Sequence, residues 1–364
     1  MRKIKRISLF ALFASFGAMT PVLAETASPT LQTVAQSHTD VWNAVAVDAN
    51  GELYVSGPTW MGVTGPSVSK LDAAGKATPF PNARWNSRSG EIPPAERFIN
   101  VNAMRFGTDG NLWIVDAGVT GFGGSVVPGG AKVVVINPRT NVIVRVYTLS
   151  EHIAKDGSYI DDIRLNQGHA YLTDAGNPGV VVLDLNTGAA RRVLDNSAAV
   201  RAPADRRIIV DEKILHAPNG QPLQVHADPL EVSGDGQWLY FASLEGPWYR
   251  IRTALLDDAT RTDAEVEQGV EFWRDLPPVG GTVMDKQGNF YYSDLAENSV
   301  KRITVAGKVE VVVKDRRLHW VDAPAIDSKG FLYLPAAQVD RVGLFNDGVS
   351  KVEWPIRVYR INLK

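Results

Sequence analysis

The chain has 364 residues, of which 45% are hydrophobic and 21% are charged, and its formal net charge at pH 7 is −2. This composition is typical of a globular protein and excludes a disordered or fibrous chain. Because basic residues are not in excess, neither nucleic acid nor a membrane is expected as a partner, and a small-molecule ligand is favoured. The chain contains no cysteine, which excludes disulfides, thiolate metal sites and a thiol nucleophile.

The N-terminus has the pattern of a secretory signal peptide. Basic residues up to Arg6 precede an apolar segment over 7–19, and small residues follow around a cleavage site after Ala24. The apolar segment is too short to span a bilayer, and no later segment is long and apolar enough to do so. We therefore expect residues 1–24 to be removed and residues 25–364 to form one secreted domain, periplasmic or extracellular.

A short phrase recurs six times along the rest of the chain. Each copy has two apolar runs around a turn that contains glycine, with β-branched and aromatic residues in the second run. This is the pattern of a β-hairpin. The turn glycines are spaced at slightly more than the roughly 40 to 50 residues typical of propeller blades, and they are Gly51, Gly110, Gly168, Gly236, Gly288 and Gly330.

A further pair of strands is predicted after the hairpins, most clearly over 131–149 and 179–195. A lone four-stranded sheet of this kind cannot bury both faces, whereas six sheets packed radially cover one another. The sequence therefore predicts an all-β, six-bladed β-propeller with four antiparallel strands per blade and a central channel. Residues 31–37 are expected to add a strand to the last blade, formed by 352–361. A short helix or loop is expected after Leu256.

Aligning the six hairpins on their turn glycines reveals a polar column at the start of the innermost strands. Gly280 occupies this column in the fifth blade, and the other members are Asn43, Asn102, Asp161, Asp228 and Asp322. Equivalent positions of a propeller form a ring, so these side chains are expected at one mouth of the channel as a ligand site. The alternative is that they only bond nearby backbone where the chain turns into each strand.

The ring offers carboxylate and amide oxygens as ligands and no thiolates. Such ligands suit a hard divalent cation, with Ca²⁺ favoured over Mg²⁺ or Mn²⁺. The candidate metal ligands are Asn102, Asp161, Asp228 and Asp322.

Other side chains are expected near the same mouth. His226 and His319 precede two of the ring aspartates, so the candidate acids and bases are Asp228, Asp322, His226 and His319. Trp42 and Trp320 are candidates for stacking on a planar ligand, and further candidates are Trp60, Trp85 and Trp248. A glycine-rich segment over 121–130 is interpreted as a loop above the channel. A second column of aspartates is expected mainly to bond the loops that follow the second strands, and its members are Asp116, Asp174 and Asp294.

Several motifs resemble the major royal jelly protein and Yellow family. They occur in the same order, and the clearest are "LWIVDAG" at Leu112, "DDIRLNQGHAYLTDAG" at Asp161, "GDGQWLYFASLEGPWYRIRTALL" at Gly234 and "MDKQGNFYYSDLAENSV" at Met284. The resemblance implies a secreted six-bladed propeller with a ligand in its channel. Insect members are linked to dopachrome conversion or bind small aromatic amines. This chain lacks their paired cysteines.

The chain is more distantly similar to the gluconolactonase and regucalcin group. That resemblance implies a divalent cation held at the start of the inner strands, at positions that match Asn43, Asn102, Asp161, Asp228 and Asp322. The chain departs from the pattern at Asn43, where that group has glutamate, and at Gly280.

These observations favour a protein that binds a small cyclic or aromatic molecule and, as an enzyme, isomerises it in the manner of a dopachrome tautomerase. In that reaction Asp228 or Asp322 would remove a proton and His226 or His319 would donate one. The first alternative is a lactone hydrolase that depends on a divalent metal. The second is a platform for protein interactions.

Overall fold

The computed structural model describes residues 30–364 and contains six four-stranded antiparallel sheets. The inner strand of each sheet contacts the inner strands of its two neighbours, and the sixth contacts the first, so the ring of sheets is closed. This confirms the predicted six-bladed β-propeller. The predicted signal peptide, residues 1–24, lies outside the described residues.

The strands follow one another from the axis outward in the first five blades. The chain begins with β1 (Gln32–Ser37). Blade one comprises β2 (Ala44–Val47), β3 (Leu53–Ser56), β4 (Val68–Leu71) and β5 (Ala77–Pro79). Blade two comprises β6 (Val101–Phe106), β7 (Leu112–Asp116), β8 (Lys132–Asn137) and β9 (Val142–Thr148). Blade three comprises β10 (Ile160–Asn166), β11 (His169–Asp174), β12 (Gly179–Asp184) and β13 (Ala190–Val193).

A small separate hairpin precedes blade four and comprises β14 (Ile209–Val210) and β15 (Lys213–Ile214). Blade four comprises β16 (Ala227–Val232), β17 (Trp238–Ser243), β18 (Trp248–Arg252) and β19 (Glu271–Arg274). Blade five comprises β20 (Val279–Met284), β21 (Phe290–Asp294), β22 (Ser299–Ile303) and β23 (Val309–Lys314). Blade six has the order β24 (Ala325–Ile326), β25 (Phe331–Ala336), β26 (Ile356–Asn362) and β1.

Strand β1 closes the ring by joining both ends of the chain in one sheet. It pairs antiparallel with β26, from Gln32 opposite Arg360 to Ser37 opposite Ile356. The predicted closing strand is therefore confirmed. Because three strands of blade six come from the C-terminal end and one from the N-terminal end, the first and last blades cannot separate without breaking this ladder.

Helices are short and lie in connections. Two α-helices, α1 (Thr253–Asp257) and α2 (Asp263–Gln268), occupy the segment after β18 that was predicted as a helix or loop. A capping box at Thr262 and Glu265 begins α2. The single-turn 3₁₀-helices are Thr59–Met61, Pro94–Glu96, Val339–Arg341 and Gly343–Phe345. Within 30–364, no helix has the length and apolar character needed to cross a membrane.

Burial along the strands follows from the radial packing. In blade two, the five residues Lys132–Ile136 of β8 are all buried, because neighbouring blades cover both faces of the sheet. The outermost strand, β9, alternates instead, and Val142 and Val144 are 57% and 55% exposed. The core therefore lies between blades rather than inside any one sheet.

Candidate functional site

A β-bulge near the start of the inner strand recurs in blades two to five. In blade two the pairing passes from Val101 to Met104 while the partner strand advances by only two residues, so one residue is extra. The same shift occurs in β10, β16 and β20. Side chains normally alternate along a strand, but the extra residue resets the alternation. Residues three apart, such as Asn102 and Arg105, therefore both face the channel.

The polar ring predicted from the sequence converges on one cavity of about 50 Å³ at a mouth of the channel. All five predicted members line this cavity: Asn43, Asn102, Asp161, Asp228 and Asp322. The side-chain amide of Asn43 donates to the carbonyl oxygen of Asn102 at 3.3 Å. The amide of Asn102 donates in turn to Asp161. Asn43, Asn102 and Asp161 are thus linked directly, and Asp228 and Asp322 line the same cavity.

Blade five contributes no side chain to the ring because its inner strand packs directly against backbone. A Cβ atom on Gly281 would lie 1.8 Å from the carbonyl oxygen of Asp322, and one on Gly280 would lie 2.5 Å from that of Val321. Neither space admits a side chain. The Gly-Gly pair brings the chain before Asp322 close to blade five, and the gap in the ring follows from this contact.

Burial raises the pKa of all three aspartates in the cavity. The pKa of Asp161 lies well above its usual value because of burial and, next, the charges of Asp228 and Asp322. Burial and the charge of Asp322 act in the same way on the pKa of Asp228. Burial raises the pKa of Asp322 to about 7. Within 30–364 none of the three forms an ion pair, so protons are retained on part of this set near neutral pH.

The ring fits a hard cation in its donor chemistry but not in its spacing. Carboxylate and amide oxygens are the ligands that Ca²⁺ prefers. As packed here, however, Asp161 accepts from the side-chain amide of Asn102, and Asp322 accepts from Trp320 Nε1. Among residues 30–364, no group of three or more histidine or acidic side chains is positioned to hold a metal ion.

Aromatic side chains cover the ring. The ring centroid of Phe122 lies 5.2 Å from that of Trp60 and 6.0 Å from that of Phe345. Tyr159 connects this cover to the floor, because its hydroxyl accepts from Trp60 Nε1 at 2.8 Å and donates to Asn102 Oδ1 at 3.0 Å. We call Trp60, Phe122 and Phe345 the aromatic lid.

Trp320 lines the wall of the cavity, and its Nε1 donates to Asp322 at 3.2 Å. Of the predicted aromatic contacts, the structure therefore brings Trp60 and Trp320 to the site, whereas Trp85 and Trp248 pack elsewhere in the core. Sequence reasoning missed Tyr159 and Phe345. Phe122 lies in the glycine-rich loop that the sequence placed above the channel, which was the available signal for it.

Three other predicted site residues also do not line the cavity. Trp42 is 5% exposed and packs in the core, and His226 has its Nδ1 bonded to the backbone N–H of Ala202 at 3.0 Å. Each is next to a residue that lines the cavity, and adjacent side chains in extended segments point to opposite sides. His319 is turned away because its Nε2 lies 2.7 Å from Asp340.

A second polar layer lies along the channel beneath the ring. Arg164 bonds Asp162 at 2.7 Å, Glu231 at 2.9 Å and the backbone oxygen of Thr282 at 3.0 Å. Arg105 adds a second contact to Asp162 at 3.1 Å. These side chains fill the channel, so the cavity opens only toward its own mouth. A larger cavity of about 920 Å³ lies among the hairpin turns and contains no ring residue.

The sequence analysis did not identify this layer, although a signal was present. Arg105, Arg164 and Glu231 each follow a ring residue by three positions. A strict two-residue alternation places such residues on the opposite face, and only the bulge brings them to the channel.

The second column of aspartates stabilises the loops, as expected. Each member accepts backbone N–H groups from loop residues and pairs with a basic side chain at 2.6 to 2.8 Å. The pairs are Asp116 with Lys132, Asp174 with Arg192, and Asp294 with Lys301.

Fold and site together define a class: a six-bladed β-propeller with an acidic cavity under an aromatic lid. The sequence profile of the family described as Major royal jelly protein matches residues 103–358, and the chain belongs to this family. This confirms the resemblance inferred from the motifs. No curated protein sequence matches the chain.

Solved structures share the fold at low sequence identity. A gluconolactonase from Xanthomonas campestris is 12% identical, with a TM-score of 0.54 over 92% of this chain and 89% of that one. A calcium-binding protein, regucalcin, from Agrobacterium tumefaciens is 13% identical, with a TM-score of 0.56 over 92% and 93%. A luciferin-regenerating enzyme is 11% identical, with a TM-score of 0.54 over 92% and 95%. At these identities the likeness establishes the fold alone.

Proposed function

We propose that the central cavity binds a small cyclic or aromatic molecule and isomerises it by proton transfer. The observation that carries the proposal is the set of three carboxylates lining one aromatic-covered cavity, where burial and their mutual charges raise the pKa of Asp161 and Asp228. One of Asp161 and Asp228 acts as the acid and the other as the base, because burial and the repulsion between two carboxylates favour keeping a proton on one of them. Tautomerisation requires these two roles and no nucleophile. An aspartate thus takes the role of proton donor that was predicted for His226 or His319.

The walls and floor of the cavity define the ligand. A flat ring is accommodated by stacking against Trp320 and the aromatic lid. The acidic floor favours a positive charge on that ring, which makes a small aromatic amine the best-matched class. The cavity, of about 50 Å³, is far smaller than the roughly 300 Å³ or more of an ordinary ligand site. Phe122 and Phe345, both outside strands, must therefore move apart when the ligand enters.

Asp161→Asn and Asp228→Asn are each expected to weaken dopamine binding at least about tenfold, because each removes a charged acceptor from the floor. The same variants should lose dopachrome conversion, followed by absorbance. Calorimetry with dopamine on residues 25–364 provides the binding measurement. Wild-type affinity should rise with pH through about 7, where Asp322 ionises.

Asp205→Asn is the matched control, since Asp205 is exposed and forms no ion pair within 30–364. It should bind dopamine as the wild type does. The proposal fails if the wild type neither binds dopamine nor converts dopachrome, or if the two floor variants behave like the control.

A calcium site is the second candidate, supported by three carboxylates that line one cavity and form no ion pair among residues 30–364. Bound Ca²⁺ would supply a Lewis acid for lactone hydrolysis. Asp161 and Asp228 are the carboxylates that would hold it. Calcium titration by calorimetry separates the candidates. Tight binding that Asp161→Asn abolishes favours the calcium site, and dopamine binding that persists in EDTA favours the first proposal.

We also propose that the mature chain acts outside the cytoplasm, after cleavage near Ala24. Mass spectrometry of the protein purified from the culture medium or periplasm tests this. A protein that retains residues 1–24 would contradict it.

A further inference from the structure

A second cavity of about 470 Å³ lies between blades five and six. Its lining comes from the end of blade five, around Arg316, and from the segment that leads into β26, around Trp354. It shares no lining residue with the central cavity. Its volume falls in the range of about 300 to 1,000 Å³ that is usual for sites that bind small molecules.

Positive charge predominates in this cavity. Two carboxylates line it, and both form ion pairs with Arg341, which lies 3.1 Å from Glu353 and 3.6 Å from Asp211. Arg317 is held by Asp315 through several bonds, the shortest 2.6 Å. The arginines of the lining are Arg316, Arg317, Arg341 and Arg357.

Two of these guanidinium groups remain without a counter-ion. Within 30–364, neither Arg316 nor Arg357 has a carboxylate within ion-pair distance, and the side chain of Arg357 donates only to the backbone oxygen of Pro355 at 3.3 Å. Unpaired arginines that line a concave site are suited to an anion, because their planar fork matches a carboxylate in two parallel hydrogen bonds.

An aromatic face accompanies these charges. The side chain of Trp354 lines the same cavity and is 43% exposed, which is unusual for a large ring with no partner of its own in the described chain. Another part of the lining is fixed, since His319 is 3% exposed and lies 2.7 Å from Asp340 and 3.5 Å from Asp211. A ring lying on the indole would place an attached acidic group within the basic lining.

We propose that this cavity is a second binding site, for a small carboxylate that carries a ring. Arg316 and Arg357 receive the carboxylate, and Trp354 contacts the ring. Both a sugar acid and an aromatic acid have this chemistry. The site is separate from the central cavity, so it stands whether or not the proposed isomerisation is correct.

Calorimetry with D-galacturonate and with benzoate tests the proposal, with D-galactose and benzyl alcohol as the uncharged counterparts. At least one acid should bind below about 10 mM, and at least about tenfold more tightly than its uncharged counterpart. Galacturonate alone would identify a sugar-acid site and benzoate alone an aromatic-acid site. The double variant Arg316→Gln/Arg357→Gln should weaken binding at least about tenfold, and Trp354→Ala about threefold or more.

The double variant Lys76→Gln/Lys329→Gln is the matched control, because it removes two exposed positive charges outside the cavity. It should bind the acids as the wild type does, and so should Asp228→Asn. The proposal is overturned if neither acid binds, if the uncharged compounds bind equally well, or if the arginine variant binds no more weakly than the lysine variant.

Discussion

Replacing Asp322 by asparagine should stabilise the folded protein at pH 8 by roughly 2–4 kcal/mol. Burial raises the pKa of Asp322 to about 7, from 3.8 in an unperturbed aspartate. At pH 8 the wild type must therefore hold a carboxylate where burial opposes ionisation, at a cost of about 1.4 kcal/mol per pKa unit, discounted for its partial exposure. Asparagine keeps an oxygen that accepts from Trp320 Nε1. Urea unfolding in EDTA measures the difference.

The pH dependence of this difference has a definite sign. Below about pH 4 the carboxyl is protonated in both folded and unfolded chains, so the variant has no advantage. Between pH 4 and 7 the unfolded chain loses the proton first, and the stability of the wild type falls until the folded pKa is passed. The gain should therefore grow from pH 4 to 7 and then level off. A flat difference, or one matched by Asp205→Asn, would contradict the buried acidic floor.

Lys132→Met should lower the free energy of unfolding by about 3–5 kcal/mol. Both Lys132 and its partner Asp116 are completely buried, 2.7 Å apart. The ammonium also donates to the backbone oxygens of Pro94 and Gly130 at 2.9 Å each. Methionine fills the space of the aliphatic chain but leaves the Asp116 carboxylate buried without a counter-charge. The midpoint of urea unfolding should fall with little change in slope.

Lys70→Met is the matched control for this experiment. Lys70 lies at the same distance, 2.7 Å, from Glu52, but the two side chains are 32% and 45% exposed. Water stabilises the glutamate that remains, so the loss should be about 1 kcal/mol or less. Equal losses in the two variants would show that burial does not govern the strength of the Lys132 pair.

Asp322→Asn is expected to stabilise the protein and Lys132→Met to destabilise it. The signs differ because a basic side chain neutralises the buried carboxylate in one case and not in the other. The second aspartate column is paired with basic residues and stabilises the blades. The ring around Asp322 forms no ion pair among residues 30–364 and opposes folding above neutral pH. Binding sites often retain such unfavourable charge because a ligand later compensates it. Dopamine or Ca²⁺ that binds the ring should accordingly raise the unfolding midpoint.

The sequence by itself determined the number of blades, the closing strand and the members of the ring. Hairpin periodicity and turn glycines are local properties that can be recognised in the sequence. Six copies of one four-stranded unit bury their faces by packing radially around an axis. Equivalent positions in such repeats lie at equivalent heights on the axis. Asn102 and Asp161 could therefore be assigned to one mouth before any coordinates were known.

Only the tertiary structure decided which side chains face the cavity and what covers it. The bulge in blade two turns Arg105 toward the axis, whereas a strict two-residue alternation predicts that Arg105 points away from it. The aromatic lid lies on loops, which have no sequence periodicity from which its position could be predicted. Its contacts also join distant residues: the hydrogen bond between Trp60 and Tyr159 connects residues 99 positions apart. The raised pKa of Asp322 has the same origin, since its burial is created by segments that meet only when the ring of blades closes.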